Sequence, residues 1–292
     1  MKKYDVIIIG AGPAGISASI YIKRANKHVL VLYSGQSELE KAEKIDNYYG
    51  FPTGISGKEL YKNGILQAKN LEIEVLEKEI VDIKFIDDSQ FTVKSTNEDF
   101  SSSAIIIATG NKKIIPNIKG IKKFEGKGIS YCAICDGFFY KNKNVVVIGD
   151  GNYALNEAKD LQNIAKDVKI LTNGREVRIS NNEYTVDTRK IEEIKGNEKV
   201  EYIQFEDGEE IKTDGIFIAQ GIAGGINFAR KLGILTKSNN IVVNENMETN
   251  INGIFACGNL TGGLFQVNKA VYEGAKAGLE VVKFLNKCRK EK

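Results

Sequence analysis

Histidine is almost absent from this sequence of 292 residues, in which His28 is the single example. Cysteine is scarce too, and of the four cysteines only Cys132 and Cys135 stand close together. So few candidate ligands give no basis for a metal site, and four cysteines are too few to form a disulfide framework in a chain of this length. The composition therefore excludes a small disulfide-stapled secreted domain and favours a reducing, cytoplasmic setting.

A large excess of one charge is also missing. The 41 basic residues nearly balance the 38 acidic ones, which leaves a formal net charge of +3, so we expect no nucleic-acid partner. Long apolar runs are absent as well, because Gly10, Gly12 and Pro13 interrupt the uncharged stretch 6–22. That interruption suits a strand and a tight turn rather than a signal peptide or a membrane helix. We therefore expect a globular protein of about two domains and no membrane association.

A strand–turn–helix pattern occurs twice in the chain. The β-branched run 6–9 precedes the glycine turn 10–15, and the run 145–148 precedes the turn 149–154. Each turn continues into a segment with helical apolar periodicity. Further alternation of strands and helices predicts an α/β fold. We expect two Rossmann-like domains, each a doubly wound, three-layer domain of the nucleotide-binding type.

The first glycine turn has the spacing of a dinucleotide-binding site. Gly10 permits the tight bend, Gly12 lets the backbone approach a pyrophosphate, and Gly15 lets the helix pack closely on the strand. The alternative is an ordinary turn, but its position between a strand and a helix favours nucleotide binding. Residues 31–34, at the end of the next strand, offer no acidic partner for a ribose, so that contact is not located.

The second glycine turn departs from this pattern. Asp150 brings a carboxylate to a place that should attract phosphate, and Tyr153 is bulky where small side chains favour close approach. Residues 170–173 supply neither an acid for a ribose hydroxyl nor an arginine cluster for a 2′-phosphate. Arg175 and Arg178 are candidates to contribute to such a cluster, but surface charge is the favoured interpretation. A retained scaffold is favoured here over a functional pyridine-nucleotide site.

The cysteine pair lies between the two repeats. The spacing of Cys132 and Cys135 permits a reversible disulfide, half of a zinc site or two inert thiols. Redox chemistry is favoured because the other cysteines and His28 stand singly along the chain. Asp136, next to the pair, is a candidate to exchange protons with the thiols, provided that burial raises its pKa. The alternative is a simple turn residue.

Over nearly its whole length the chain resembles the low-molecular-weight thioredoxin reductases. The resemblance is carried by the motifs at 10–15, 47–52, 107–110, 132–140 and 253–258. It implies an FAD-binding domain at residues 1–112 and 222–292, into which a redox-disulfide domain with a degenerate NADPH-domain-like fold is inserted at 113–221. It also implies a homodimer in which rotation of the two domains exposes the dithiol to thioredoxin or a thioredoxin-like protein.

Site residues follow from the resemblance by position. Cys135 is expected to face the flavin, Cys132 to attack the substrate disulfide, and Asp136 to act as the acid/base. The residues expected to bind FAD are Gly10, Gly12, Pro13, Ala14, Gly15, Asn47, Ala108, Thr109, Gly110, Gly258 and Asn259.

Two departures from the family pattern bear on the electron donor. Residues 172–175 stand where the family carries a basic NADPH-binding cluster, and Asn259 replaces its usual flavin-contacting aspartate, although an amide still hydrogen-bonds a hydroxyl. These departures resemble the ferredoxin-dependent flavin thioredoxin reductases, which implies reduced ferredoxin as the donor. An NADPH-dependent enzyme with a divergent site and a non-catalytic flavin redox sensor are the alternatives.

A lysine-rich segment precedes the cysteine pair. Glu125 is its only acidic residue, whereas its lysines are Lys112, Lys113, Lys119, Lys122, Lys123 and Lys127. Such a surface is suited to steering an acidic ferredoxin. The alternative is a solvated linker with no partner.

Overall fold

The structure is a computed structural model that describes residues 1–87, 90–110, 115–179, 184–221 and 223–290. The chain divides into two compact units. The first consists of Met1–Lys112 and Gly224–Lys292, and the second of Lys113–Ala223. The second crossing between the units falls at 223/224, whereas the sequence places it at 221/222.

The elements follow in chain order. The first unit begins with β1 (Lys2–Ile9), α1 (Pro13–Arg24), β2 (Val29–Tyr33), α2 (Gly57–Asn70), β3 (Glu74–Glu77), β4 (Ile80–Asp87), β5 (Gln90–Ser95) and β6 (Asp99–Ile107). The second unit contains α3 (Ile121–Phe124), β7 (Ile129–Ser130), α4 (Ala133–Asp136), β8 (Asn144–Ile148), α5 (Asn152–Gln162), β9 (Asp167–Leu171), β10 (Thr185–Asp187), β11 (Ile191–Lys195), β12 (Tyr202–Phe205), β13 (Glu210–Lys212) and β14 (Gly215–Ile218). The chain then returns to the first unit with α6 (Gly225–Lys231), β15 (Thr236–Lys237), β16 (Asn240–Ile241), β17 (Ile254–Ala256) and α7 (Val267–Lys290). Within the described ranges, none of these helices is long and apolar enough to cross a membrane.

The first unit is built on a sheet with the strand order β3-β2-β1-β6-β5-β4, and β17 also pairs with β6. Strand β1 runs parallel to both β2 and β6, so that Ile7 lies beside Leu30 and Ile105. All three side chains are fully buried, as expected for a parallel sheet covered on both faces. Helix α1 packs on α7 at very short range, because a Cβ at Gly274 would overlap the backbone of Ala14.

The second unit contains a parallel sheet with the order β10-β9-β8-β14-β7. Strand β8 continues through α5 to β9 on one side, whereas β14 lies on its other side, so the strand order reverses between β8 and β14. The strands β11, β12 and β13 form a separate antiparallel sheet. Together the two units confirm the predicted α/β fold with two Rossmann-like domains.

Candidate active site

The first glycine turn joins β1 to α1 in the predicted way. Gly10 has a φ of +115°, and a Cβ there would overlap the carbonyl oxygen of Ala108 at the end of β6. A Cβ at Gly15 would overlap the carbonyl oxygen of Gly10. Only glycine fits at both positions, because one needs a left-handed backbone and both need a close backbone approach.

The middle of this turn is open. The nearest atom that a Cβ at Gly12 would meet is Oγ of Ser37, at 4.0 Å. Gly12 caps α1 without any side-chain hydrogen bond, and Pro13 occupies the first position of the helix. Free amides at the helix N-terminus and an uncrowded backbone form a ready site for a phosphate group. The residues of the first turn therefore fit the pyrophosphate of a dinucleotide such as FAD.

Two further motifs meet the first turn. A Cβ at Gly258 would lie 2.9 Å from Cβ of Ala14, so the 253–258 motif approaches the start of α1. Thr109 follows β6, and its Oγ1 accepts a hydrogen bond from the amide of Gly225 at 3.0 Å. Gly110 has a φ of +69° and open space around it. The structure thus brings three of the motifs expected to bind FAD to one end of the sheet.

A largely buried ion pair supports the loop that carries Gly258 and Asn259. Nζ of Lys269 lies 3.0 Å from Oε2 of Glu273, one turn further along α7. Lys269 donates to the carbonyl oxygen of Gly258 at 2.8 Å, and Glu273 accepts from the amide of Gly258 at 2.8 Å. The pair therefore fixes both polar backbone groups of the residue before Asn259. Sequence reasoning missed it, although a lysine and a glutamate four residues apart in a helix are a recognisable signal.

Asn47 lies apart from these contacts and faces the start of α7. Its Nδ2 donates to Oε1 of Gln266 at 3.0 Å. Gln266 was not predicted as a site residue, and no local sequence signal marks it. Near Asn47, the rings of Tyr48 and Phe51 stack with their centroids 5.9 Å apart, while Tyr49 is 95% exposed.

Cys132 and Cys135 are joined by a disulfide, with their Cα atoms 5.3 Å apart. Cys132 is the N-cap of α4, and its Sγ accepts a hydrogen bond from the amide of Cys135 at 3.3 Å. A sulfur at a helix N-terminus is well placed to carry negative charge once the disulfide is reduced. Cys132 is 2% exposed, whereas Cys135 is exposed. The described residues contain no cluster of histidine, cysteine and acidic side chains that could hold a metal ion.

Ser130 links the disulfide to Asp136. Its buried hydroxyl donates to Oδ2 of Asp136 at 2.6 Å and accepts from the amide of Cys132 at 3.1 Å. Asp136 is half-buried, and its carboxylate, next to the disulfide in sequence, is held by the Ser130 hydroxyl. Burial, and to a lesser degree the charge of Asp136, raises the pKa of the neighbouring Tyr140.

Helix α5 supports the disulfide from the other side. Glu157 is 1% exposed, and its Oε2 accepts a hydrogen bond from the amide of Ala133 at 2.7 Å. Together with the sulfur of Cys132, this carboxylate satisfies the first amides of α4. Sequence reasoning missed Glu157, but a signal existed, because it falls on the apolar face of α5 between Ala154 and Leu161.

The second glycine turn repeats the backbone of the first. A Cβ at Gly149 would overlap the carbonyl oxygen of Ala219, the counterpart of the clash at Gly10. Asp150 is 2% exposed, and its Oδ2 forms an ion pair with the guanidinium of Arg178. The main chain repeats the contact, since the amide of Arg178 donates to the carbonyl oxygen of Asp150 at 2.8 Å.

Arg175 is also engaged. With the amide of Gln220 oriented to satisfy both groups, Oε1 of Gln220 accepts from Nη2 of Arg175 at 2.7 Å. Arg175 and Arg178 are both exposed, as predicted, but each is also paired with a side chain at a strand end. Both contact residues that follow the parallel strands β8 and β14, which is a long-range pairing that local sequence could not reveal.

The lysine-rich segment is partly neutralised by its own unit. Lys119 lies 3.1 Å from Oε2 of Glu193 on β11, and Lys123 donates to the carbonyl oxygen of Gly196 at 3.1 Å. Lys122 and Lys127 are exposed. Residues 112 and 113 lie outside the described residues. In the linear sequence Glu125 is the only acidic residue of this segment. In the structure Glu193 is a second acidic residue near these lysines.

The isolated cysteines and histidine lie away from the disulfide in the sequence and have ordinary surroundings. Burial raises the pKa of the Cys257 thiol well above its usual value, so this thiol stays protonated. Cys288 is partly exposed near the end of α7. His28 is exposed just before β2.

Comparison with known proteins identifies the family. The family model described as pyridine nucleotide-disulphide oxidoreductase matches residues 4–274. A thioredoxin reductase of Aquifex aeolicus is 35% identical, with 99% of this chain and 95% of the relative covered. FAD-binding flavoproteins make up this group of relatives, which confirms the expected cofactor at the level of the family.

Solved structures agree. The atypical thioredoxin reductase TRi from Desulfovibrio vulgaris Hildenborough is 36% identical with a TM-score of 0.90, covering 97% of this chain and 98% of that one. A ferredoxin-flavin thioredoxin reductase from Clostridium acetobutylicum is 33% identical with a TM-score of 0.71, covering 98% and 99%. This chain therefore belongs to the pyridine nucleotide-disulphide oxidoreductase family and, within it, to the thioredoxin reductases.

Proposed function

We propose that this protein is an FAD-dependent thioredoxin-disulfide reductase that takes electrons from reduced ferredoxin. The observation that carries the proposal is the Cys132–Cys135 disulfide, which is flanked by a hydrogen-bonded Asp136 in a chain of the thioredoxin reductase family. FAD would be held by the open first turn, by Gly258 and Asn259, and by the end of β6 at 108–110. Once bound, FAD supplies chemistry that takes up electrons singly or in pairs and reduces a disulfide.

The side chains around the disulfide support reduction of a protein substrate. In the dithiol form, the Cys132 thiolate attacks the substrate disulfide, and one substrate sulfur leaves while a mixed disulfide forms. The Cys135 thiolate then attacks Cys132, which releases the second substrate sulfur and restores the Cys132–Cys135 bond. The substrate gains two electrons and two protons, and Asp136 is placed to exchange a proton at Oδ2. Because Cys132 is 2% exposed here, its attack requires a more accessible conformation.

The surface beside the disulfide suits a protein substrate. Phe138 and Phe139 are 75% and 69% exposed, and Ile134 between the cysteines is 52% exposed. Exposed aromatic side chains of this kind mark protein interaction sites. We infer that thioredoxin or a thioredoxin-like protein docks on them.

The choice of donor rests on the second glycine turn. A buried Asp150 carboxylate occupies the turn where a pyridine nucleotide needs neutral or positive groups for its phosphates. The residues present therefore do not fit a pyridine nucleotide. The Clostridium acetobutylicum relative is described as a ferredoxin-flavin enzyme, which supports the same donor here. Lys122 and Lys127 remain exposed for an acidic ferredoxin.

A cytoplasmic homodimer completes the proposal. Tyr272 and Leu279 are seven residues apart on α7, and they are 62% and 49% exposed. Residues at this spacing share one helix face. We infer that this face contributes to contact between two copies of the chain.

The cysteines test the proposed reaction. Cys132→Ser and Cys135→Ser should each lower thioredoxin reduction by at least about 1,000-fold, because the first variant cannot form the mixed disulfide and the second cannot resolve it. Both should keep their flavin absorbance, and Cys288→Ser is the matched control that should leave turnover unchanged. Wild-type turnover in either active-site variant would contradict the proposal. If every donor failed to drive thioredoxin turnover in the wild type, a non-catalytic redox sensor would be the better interpretation.

A further inference from the structure

The parallel sheet of the second unit has one place where a ligand is expected. In open α/β sheets, ligands bind beyond the carboxyl ends of the strands, at the point where the strand order reverses. Here that point lies between the adjacent parallel strands β8 and β14. Asp150 follows β8 and Gln220 follows β14. These two side chains therefore flank the crevice in which a dinucleotide would lie.

One segment of the chain bonds to both flanks of this crevice. Residues 172–179, named here the strap, follow β9. Arg178 pairs with the carboxylate of Asp150 and donates its amide to the Asp150 carbonyl oxygen at 2.8 Å. Arg175 donates to the side chain of Gln220, with Nη2 at 2.7 Å and Nη1 at 3.2 Å from Oε1. The strap thus crosses from one strand end to the other.

The strap is also anchored at its start. The amide of Thr172 donates to the carbonyl oxygen of Asp187 at 2.9 Å, and its hydroxyl donates to the carbonyl oxygen of Arg175 at 2.8 Å. Oδ1 of Asn173 accepts from the amide of Ile191 at 2.9 Å. These contacts tie the segment to β10 and β11, so the two arginines are held over the crevice by ordered backbone.

Asp150 makes the strap resistant to displacement by phosphate. Its side chain is 3% exposed, and Arg178 is the cation that compensates it. Its other oxygen, Oδ1, has no hydrogen-bond partner among the described residues. The Arg178 side chain is 58% exposed, so the cost of breaking the pair falls on Asp150, whose buried carboxylate would lose its cation. An incoming pyrophosphate would have to take Arg178 from Asp150 and then lie beside the uncompensated carboxylate.

We propose that Asp150 is a specificity-determining residue that rejects pyridine nucleotides by holding the strap across its own crevice. The proposal rests on the proposed function, in which the donor is not a pyridine nucleotide, and it names the residue responsible. Arginine recognises phosphate through the same planar fork that binds carboxylate. Once Asp150 no longer holds it, Arg178 is available to an added phosphate, and Arg175 needs only to leave a neutral amide. The closed crevice is therefore a latent dinucleotide site.

Removal of the carboxylate tests the proposal in the flavin-loaded full-length protein. Asp150→Gly restores a plain glycine turn, and Asp150→Asn removes the charge with almost no change in size. Titration calorimetry with NADP⁺ and NAD⁺ measures binding without any redox step. The expected result is at least a tenfold gain in NADP⁺ affinity for Asp150→Gly, or about 1.4 kcal/mol. A smaller gain is expected for Asp150→Asn, whose side chain still fills the turn.

Two further variants identify the cause. Asp167→Asn removes an exposed carboxylate at the opposite end of the same sheet, and it should leave NADP⁺ binding as weak as in the wild type. Arg178→Ala added to Asp150→Gly should abolish the preference for NADP⁺ over NAD⁺. Retention of that preference would contradict the role given to Arg178. If Asp150→Gly loses its flavin through misfolding, Asp150→Asn alone decides whether the charge matters.

The outcomes distinguish a failure of the strap proposal from a failure of the donor proposal. If neither Asp150 variant binds NADP⁺ while ferredoxin still reduces the flavin of both, the strap proposal is overturned and the donor proposal stands. If the wild type itself binds NADP⁺ tightly and NADPH bleaches its flavin, the donor proposal fails and the strap fails with it. A gain in NADP⁺ affinity that is confined to the Asp150 variants supports both proposals.

Discussion

The two glycine turns share a backbone and differ in charge. In both, the first glycine packs against the carbonyl oxygen that follows a neighbouring parallel strand, at Ala108 in one unit and at Ala219 in the other. In both turns the following helix begins after a glycine without a side-chain cap. In the first turn the residue after the first glycine is Ala11. In the second turn it is Asp150, which is buried and paired with Arg178.

This difference shows that the requirements of the fold are not the same as the requirements of a bound ligand. Glycines at the strand ends are needed for close packing whether or not a nucleotide binds, so both turns retain them. A phosphate additionally needs a turn without a carboxylate beside the helix amides. Only the first turn meets that second requirement. A duplicated Rossmann-like scaffold therefore does not imply two nucleotide sites.

The largest effect is expected when a carboxylate is introduced into the first turn, because it should weaken FAD binding there. Gly12→Asp puts an acid one residue beyond Ala11, the counterpart of Asp150, at a position where open space surrounds the glycine. Repulsion between two unit charges about 4 Å apart is about 4 kcal/mol at an effective dielectric constant of 20, so FAD affinity should fall by at least about 100-fold. The apoprotein should keep its thermal stability, because aspartate is a good helix N-cap. Flavin titration of apoprotein measures the effect.

Gly12→Asn is the matched control for that variant. It has nearly the same size and the same capping ability without the charge, so it should lose much less affinity than Gly12→Asp. Equal losses in the two variants would show that bulk, and not charge, distinguishes the two turns.

Loss of the buried lysine beneath the Gly258 loop should have the next largest effect. Lys269→Met leaves Glu273 without its cation and removes a donor to the carbonyl oxygen of Gly258. Uncompensated buried charges typically cost about 3–5 kcal/mol, and because Lys269 keeps some exposure we expect about 2–3 kcal/mol. The midpoint of flavin release in urea reports this loss. Lys283→Met removes an exposed partner of Glu280 on the same helix and should cost less than about 1 kcal/mol; similar costs for both lysines would contradict the role of Lys269.

Substitution of Ser130, beside the disulfide, should have a smaller effect, on the rate of thioredoxin reduction. Ser130→Ala removes the donor to Asp136 and the acceptor for the amide of Cys132. We expect about a tenfold lower kcat for thioredoxin reduction, which is part of the roughly 10²–10⁴-fold that a positioned acid/base group contributes, and a displaced pH–rate profile. Ser130→Thr should restore most of the rate. Ser102→Ala, which removes a buried hydroxyl bonded to the carbonyl oxygen of Ala104, should leave the pH profile unchanged; an unchanged profile in Ser130→Ala would limit Ser130 to a structural role.

Reversal of exposed charges on the second unit should have the smallest effect, on the rate at which ferredoxin reduces the flavin. Reversal of Lys122 and Lys123 to glutamate should lower ferredoxin-driven flavin reduction about threefold at low ionic strength, and the effect should vanish as salt screens the charges. Lys58 and Lys62 on α2 are also exposed, and their reversal changes the net charge equally. Stopped-flow rates at several salt concentrations check the prediction. Equal effects from both pairs, or none from Lys122 and Lys123, would remove this docking surface.

Local sequence patterns predicted the scaffold well. The β-branched runs at 6–9 and 145–148 lie within β1 and β8, and the apolar stripes that follow lie on α1 and α5. Buried parallel strands and the helices that cover them have periodicities that can be read directly. The cysteine pair was also found locally, because the disulfide needs only three residues of spacing.

Long-range polar contacts could not be predicted in this way. Arg178 lies 28 residues from Asp150 in sequence, and Arg175 meets Gln220 only because β8 and β14 are neighbours in the sheet. Whether a charged side chain is free or paired depends on such pairings and not on local pattern. Glu157 is an intermediate case, since its place on an apolar helix face was visible but its partner, the amide of Ala133, was not.

The electron donor is the central claim, and an anaerobic titration of the oxidised flavoprotein tests it most directly. The purified protein is mixed first with NADPH, then with NADH, and finally with reduced ferredoxin, while the visible absorbance of the flavin is followed. We predict that neither nucleotide bleaches the flavin and that ferredoxin bleaches it quickly. Rapid bleaching by NADPH would contradict the account, because it would show that the buried Asp150 carboxylate and the two strap arginines, Arg175 and Arg178, do not close the second site.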